Sequence, residues 1–311
     1  MRRGILQGLT SIATLDMLWS PAQLPPRVLV PHDGKNRSHL TIMKLIITMV
    51  CLFVMSALQP AKVSANMVTI GAGRDATLYQ GQPNNSDGGG PVMFVGTDGQ
   101  SASMRGLLQF NIAANIPAGS TITDAQITLF LGDVGGSDGT GLDQTARTVS
   151  LYELSGEWGQ GSAGSGSTIV GSIRGFPAVP GNVTWNDRHF QLSQPWIKPG
   201  GDFSMTVSAS AVVGHTVDSA YTWLSTPRLV ADVQSMLDAP SSNEGWALLN
   251  SNETDAHTYL AFYTRDWSDP TMRPSLQVTY VAPVPLPAAA WLFGSSLIAL
   301  AGLLRRRRNG D

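Results

Sequence analysis

The chain has one cysteine in 311 residues, Cys51, and it lies in an apolar run near the front. With that run removed, the remainder holds no thiol. Disulfides, thiolate metal sites and a cysteine nucleophile are thereby excluded. Histidine is sparse as well: the five are scattered, and no two stand in H-E-x-x-H or H-x-H spacing, so the common zinc-hydrolase patterns are missing. Charged residues make up only 14%, while Gly numbers 33 and Pro 19, a balance that suits short strands joined by loops rather than helices. Positive charge is scarcest in the middle. Residues 66–281 carry 9 Lys+Arg against 19 Asp+Glu, a net of −10, although the whole chain is formally −2. Such a body repels phosphate backbones, which argues against nucleic acid as a partner and leaves room for divalent cations.

The basic residues gather at the two ends, and both ends read as addresses. From Met43, Lys44 precedes an apolar core from Leu45 to Leu58, and Val63-Ser64-Ala65 puts small residues at −3 and −1 of a cut between Ala65 and Asn66. That order is the grammar of a secretory signal peptide, 43–65, whose core is too short to span a membrane. Bulky Val50 before Cys51 argues against a lipoprotein cut. Residues 1–42, Pro-rich and without periodicity, are expected to be a start placed too early or a disordered extension.

At the other end, Pro283, Pro285 and Pro287 break helix, then 288–304 run without charge for 17 residues, and Arg305, Arg306, Arg307 and Arg308 follow. The run reaches about 25 Å as a helix, enough for a thin bilayer. The arginines hold its far end in the cytoplasm and argue against a buried core helix. Val284-Pro285-Leu286-Pro287-Ala288 followed by span and arginine cluster resembles the PEP-CTERM sorting signal in its VPLPA variant, here over 282–311. The resemblance implies an exosortase-type enzyme that recognises and removes the tail. The protein is then exported by the general secretion machinery, transiently anchored in the inner membrane, and delivered to the cell surface or beyond.

Between the ends, short runs alternate apolar and polar residues: 104–112, 122–132, 147–154, 203–210, 245–250, 258–264 and 275–281. Period two bounded by Gly, Pro, Asn and Asp means half-buried strands. One segment differs. Thr226 and Pro227 stand at N-cap and N1 before Leu229, Val230, Val233, Met236 and Leu237, a helical spacing that stops before Pro240. The expected fold is all-β, a jelly-roll-like antiparallel β-sandwich over 66–281 with one short helix. In order, 83–96, 105–131, "VSLYEL" with Trp158, "VTWND", "NEGWALL" and 261–280 resemble the DNRLRE family of secreted proteins. That resemblance implies a jelly-roll-like sandwich and, for some members, carbohydrate binding. The Gly-rich stretches 132–146 and 159–182 depart from it.

Tryptophans 158, 185, 196, 223, 246 and 267 all lie in this body. An indole face stacks on a sugar as it does on other rings, but a sandwich also spends indoles on its core. Trp158, Trp185 and Trp246 are expected in the core. Trp196 and Trp267, beside Pro, Gly and Asp, are the candidate sugar platforms. Asp133, Asp138 and Asp143 sit among flexible glycines, either as a solvated acidic loop or as oxygen ligands for a structural Ca2+. Gly135-Gly136-Ser137-Asp138-Gly139 matches G-x-S-x-G by letters only, because a nucleophile elbow needs a strand-to-helix turn. Glu153 and Glu157 have glycosidase-like proximity in sequence, but the intervening "LSG" reads as a turn and leaves their separation open. No catalytic residue is therefore assigned. The expected function is a non-enzymatic, exported surface or matrix protein that binds polysaccharide or serves a structural, adhesive role. The alternative is a polysaccharide-degrading hydrolase or lyase on the same sandwich.

Overall fold

The computed structural model describes residues 64–137, 141, 142, 145–167 and 173–284, together with Lys44, Leu45 and Thr48. By internal contacts the chain divides into a unit spanning Pro60–Ala288 and another formed by Met1–Gln59 with Ala289–Asp311. Most of the predicted signal peptide and the predicted span 288–304 lie outside the described residues. No helix among the described residues is long and apolar enough to cross a membrane.

Ten strands and one helix make the frame. They are β1 (Ala65–Tyr79), β2 (Val92–Thr97), β3 (Ser103–Phe110), β4 (Thr121–Val134), β5 (Arg147–Leu154), β6 (Phe203–Val213), β7 (Ala220–Trp223), α1 (Pro227–Asp238), β8 (Trp246–Asn250), β9 (Leu260–Tyr263) and β10 (Ser275–Val281). All their pairings are antiparallel. The longest strand, β1, changes partner midway. Ala65–Gly71 pairs with β10, a bulge falls between Ala72 and Arg74, and the rest pairs with β3. One group of strands is thus the first half of β1, then β10, β4 and β7. The other is the second half of β1, then β3, β8, β5 and β6. β9 and β2 link them, through β4 on one side and β3 on the other.

The alternation explains the core. β4 sends Ala125, Ile127, Leu129 and Leu131 into one apolar cluster, β10 adds Leu276 and Val278, and the second group meets them with Leu108, Phe110, Val149, Leu151 and Trp246. Each fully buried side chain of this kind contributes roughly 1.5–3 kcal/mol. Helix α1 adds Leu229, Val233, Met236 and Leu237. Its start is as the sequence dictates: the Thr226 hydroxyl accepts from Leu229 N at 3.0 Å, and Pro227 fills the first turn. The helix also buries one carboxylate. Asp232 accepts from the Ser208 hydroxyl at 2.5 Å and from Trp246 Nε1 at 3.3 Å, and it pairs with Arg228 Nε at 2.7 Å. Glycine is needed just before β8. Gly245 has φ +78, and a Cβ there would stand 2.1 Å from the Leu108 carbonyl oxygen, closing the space through which β8 reaches β3.

The second group is covered on its other face too. Between β5 and β6 the chain makes a long excursion, 155–202. It brings Trp158, Val183, Trp185 and Trp196 against Leu78, Leu107 and Ala247. This layer is held by backbone bonds that are not a ladder, such as Val183 N to Gly159 O at 2.6 Å and Trp196 N to Asn186 O at 2.9 Å. Two of its indoles donate to carbonyls: Trp158 to Glu244 O and Trp196 to Thr184 O, both at 2.9 Å.

Candidate functional site

Several residues singled out by sequence fall in definite places. Trp196 is only 3% exposed. It packs into the excursion layer, so the expected exposed platform is corrected: proline and glycine neighbours let the backbone turn its indole inward. Trp267 is half-buried and lies flat on Tyr263, centroids 3.9 Å apart and planes 15° off parallel. Ala65 and Asn66, flanking the predicted signal cut, are exposed and stand opposite Val281 and Tyr280. Val284 is exposed, while Pro285, Leu286, Pro287, Ala288 and the four arginines lie outside the described residues.

Asp133 ends up on β4, where Oδ1 accepts from Val134 N at 2.9 Å and Oδ2 from the Tyr259 hydroxyl at 3.4 Å. Burial pushes its pKa up. Asp138 and Asp143 lie outside the described residues, and among those described no group of three or more potential ligand side chains gathers to hold a metal. Gly136–Ser137 forms a two-residue bridge with Gly141–Leu142, a hairpin and not the strand-to-helix turn that a nucleophile elbow requires.

Two clefts of opposite character open on this body. The first, about 620 Å³, lies where β1 leaves β10; Thr69, Gly71, Arg265, Thr271 and Arg273 are among its walls, with no carboxylate in the lining. Its arginines are set by the segment after β9. Arg265 donates its backbone N–H to Asp75 Oδ2 at 2.8 Å, and its guanidinium to the Gly73 carbonyl. Arg273 Nε donates to Trp267 O at 2.7 Å, which seats Trp267 behind the wall. Asp75, fully buried, has its pKa pushed up to about 8 by burial, with Asp266 and Asp87 adding in the same direction. Asp87, equally buried, is pushed up to about 7, again by burial, against the bonds it accepts from Tyr79 and Thr77. Burial thus favours the protonated form of Asp75, and the carboxylate that meets the Arg265 guanidinium is that of Asp266, with Oδ1 3.9 Å from Nε.

The second cleft, about 530 Å³, is lined by Glu153, Ser155, Phe203, Ser204, Ser242 and Glu244 among others. Burial raises the pKa of Glu153, and Asp232 nearby adds to it while Arg228, 2.5 Å from Oε2, opposes it. Burial likewise raises Glu244, opposed by Arg74. Arg74 lies over the Trp158 ring at 4.8 Å and bridges Glu244 and Glu157 at 3.4 Å each. Glu157 also meets His189 Nε2 at 2.5 Å. The sequence pair Glu153 and Glu157 is thus split between separate cations. The carboxyl that shares a cleft with Glu153 is Glu244, from the turn before β8.

Sequence reading missed Glu244, Arg265 and Arg273. Nothing local marks them; only the pairing of β1 with β10 and of β8 with β5 brings them to their clefts. No protein-family model matches this chain, and no curated protein is significantly similar to it.

Proposed function

We propose that this chain is an exported, jelly-roll-like β-sandwich protein that binds polysaccharide at the cell surface or in extracellular polymer, and that it does no chemistry on its ligand. The two strand groups facing one apolar cluster support the sandwich reading. The order of motifs at 43–65 and 282–311 supports export by the secretion machinery and removal of the tail by an exosortase-type enzyme. One observation carries the binding: a cleft walled by Arg265 and Arg273, free of lining carboxylates, on a body of net charge −10. A guanidinium presents a planar fork of donors that matches carboxylate and sulfate oxygens. The ligand favoured by that wall is a polysaccharide bearing such groups.

Affinity electrophoresis tests it, with the full chain in mild detergent run through gels containing polygalacturonate, dextran sulfate or neutral dextran. Retardation by a charged polymer, lost in Arg273→Ala, is the expected result. Equal retardation by neutral dextran, or none lost on substitution, overturns the binding. Intact mass of the protein recovered from culture tests the processing, with the new ends expected at Asn66 and within Pro285–Ala288.

A second reading rests on Glu153 and Glu244. A polysaccharide hydrolase or lyase pairs a protonated general acid with an ionised carboxylate; here two carboxyls share one cleft, burial raising the pKa of each while Arg228 beside Glu153 and Arg74 beside Glu244 favour ionisation. Release of reducing ends from a polysaccharide, abolished in both Glu153→Gln and Glu244→Gln, would establish the enzyme in place of the binding protein.

A further inference from the structure

The ladder ends on β6, whose eleven residues Phe203–Val213 pair with β5 on one side only; among the described residues no strand pairs with its other side. β7 follows in sequence but pairs with β4. Of the carbonyls on β6, that of Ser208 is occupied, accepting from the Thr226 hydroxyl. Exposed strand edges are normally blunted by lysine, other charges or proline. This one has none: "FSMTVSASAVV" contains no ionisable residue and no proline. It shows water an apolar row instead, with Met205 88%, Val212 67% and Val207 38% exposed. The part next to the helix is bulged, while Ala209–Val213 runs in regular register with Ala211, Val212 and Val213 opposite Val149, Thr148 and Arg147.

Charge identifies the occupant. The body carries net −10 over 66–281, so two copies repel unless they meet at a neutral surface. In a two-fold interface each patch meets itself, and any charge on it faces its own kind. An uncharged strand removes that penalty, and antiparallel pairing of a strand with its own copy continues the sheet with new backbone bonds along its regular part. We infer that β6 is the self-association edge of this protein: two copies join β6 to β6, antiparallel, into one continuous sheet. The inference is independent of the arginine cleft, which takes nothing from β6; the second cleft takes only Phe203 and Ser204 from the start of the strand.

The test uses the full chain in detergent, measured by light scattering and sedimentation across a concentration series. A dimer is expected, and Val212→Lys, which adds a positive charge to the paired edge of each copy two residues from a central Ser210, is expected to weaken its association at least tenfold. Met67→Lys, at the opposite end of the ladder, is expected to leave it unchanged. In a Cys51→Ser background, Ser210→Cys is expected to give a disulfide-linked dimer on mild oxidation, whereas Thr271→Cys, by the arginine cleft, stays monomeric. A chain that is monomeric at all concentrations overturns the inference. So does a dimer that Val212→Lys leaves intact and Ser210→Cys does not capture, since its contact then lies elsewhere.

Discussion

The two faces of the β3–β8–β5 layer are buried by different means. On one face, strands and helix α1 interdigitate Phe110, Trp246, Trp223 and Val233 in a cluster built from periodic elements. On the other, the excursion 155–202 lays Trp158, Trp185 and Trp196 over Leu107 and Ala247 with almost no regular structure. Both faces are buried, and on both the indole N–H groups of Trp158 and Trp196, or of Trp223 and Trp246, donate to carbonyls or a carboxylate. The difference is that the first face is held by ladders that form and break together, the second by individual turn bonds. Equal burial therefore does not mean equal cooperativity.

Substitutions on the two faces test that contrast, beginning with the largest effect. Trp246→Ala removes a fully buried ring beside Phe110 and the bond to Asp232. It is expected to cost about 3–5 kcal/mol in urea unfolding, with loss of the whole ladder at once. Trp158→Ala is expected at the lower end, about 3 kcal/mol, with hydrogen exchange accelerated in 155–202 and little changed in β4 and β10. Global acceleration by Trp158→Ala would erase the distinction.

Titration belongs to the other face of the second half of β1. Asp75, Thr77 and Tyr79 alternate with Ala76 and Leu78, which pack beneath the excursion. In the folded state Asp75 holds its proton up to about 8, against 3.8 unfolded. The folded protein then binds more protons in between, so stability is full below the lower value and falls as pH rises toward the upper one. The slope is at most ~1.4 kcal/mol per pH unit for each such group. Asp75→Asn is expected to flatten this decline and to raise the midpoint of thermal unfolding at pH 8. An unchanged slope would move the titration to Asp87, whose value is about 7.

Smaller effects sharpen the contrast further. Thr226→Ala removes the cap of α1 and is expected to cost about 1 kcal/mol, felt by the ladder as a whole. Glu253→Gln weakens the two-pronged pair with Arg105, whose guanidinium lies 5.1 Å over Trp185 on the excursion side. The expected cost is about 0.5–1 kcal/mol or less, and differential exchange should confine it to that side.

Legibility in sequence follows the same divide. β4, β5 and β10 alternate cleanly because each has one face toward the main cluster, and α1 carries its Thr-Pro start and its apolar spacing openly. β2 hides because all six of its residues are buried, which removes the alternation. The first strand is harder still: Gly71 and Gly73 surround the bulge where β1 changes partner, so no single period runs through its fifteen residues. Trp196 deceived because its neighbours are those of a surface loop, while its fate depended on the turn bonds that fold the excursion back. The two clefts were illegible for a related reason. Arg265 and Thr69, or Glu153 and Glu244, meet only through pairings between distant strands, and no local pattern encodes a long-range partner.

The opposition of Ala65 to Val281 has a mechanical meaning. Both ends of the body leave from one pole on neighbouring antiparallel strands, so tension applied between them opens the β1–β10 rungs one after another, in a zipper geometry that yields at low force. A load entering through one end alone spares those rungs. Stretched between its two ends, the body peels from Ala65 inward.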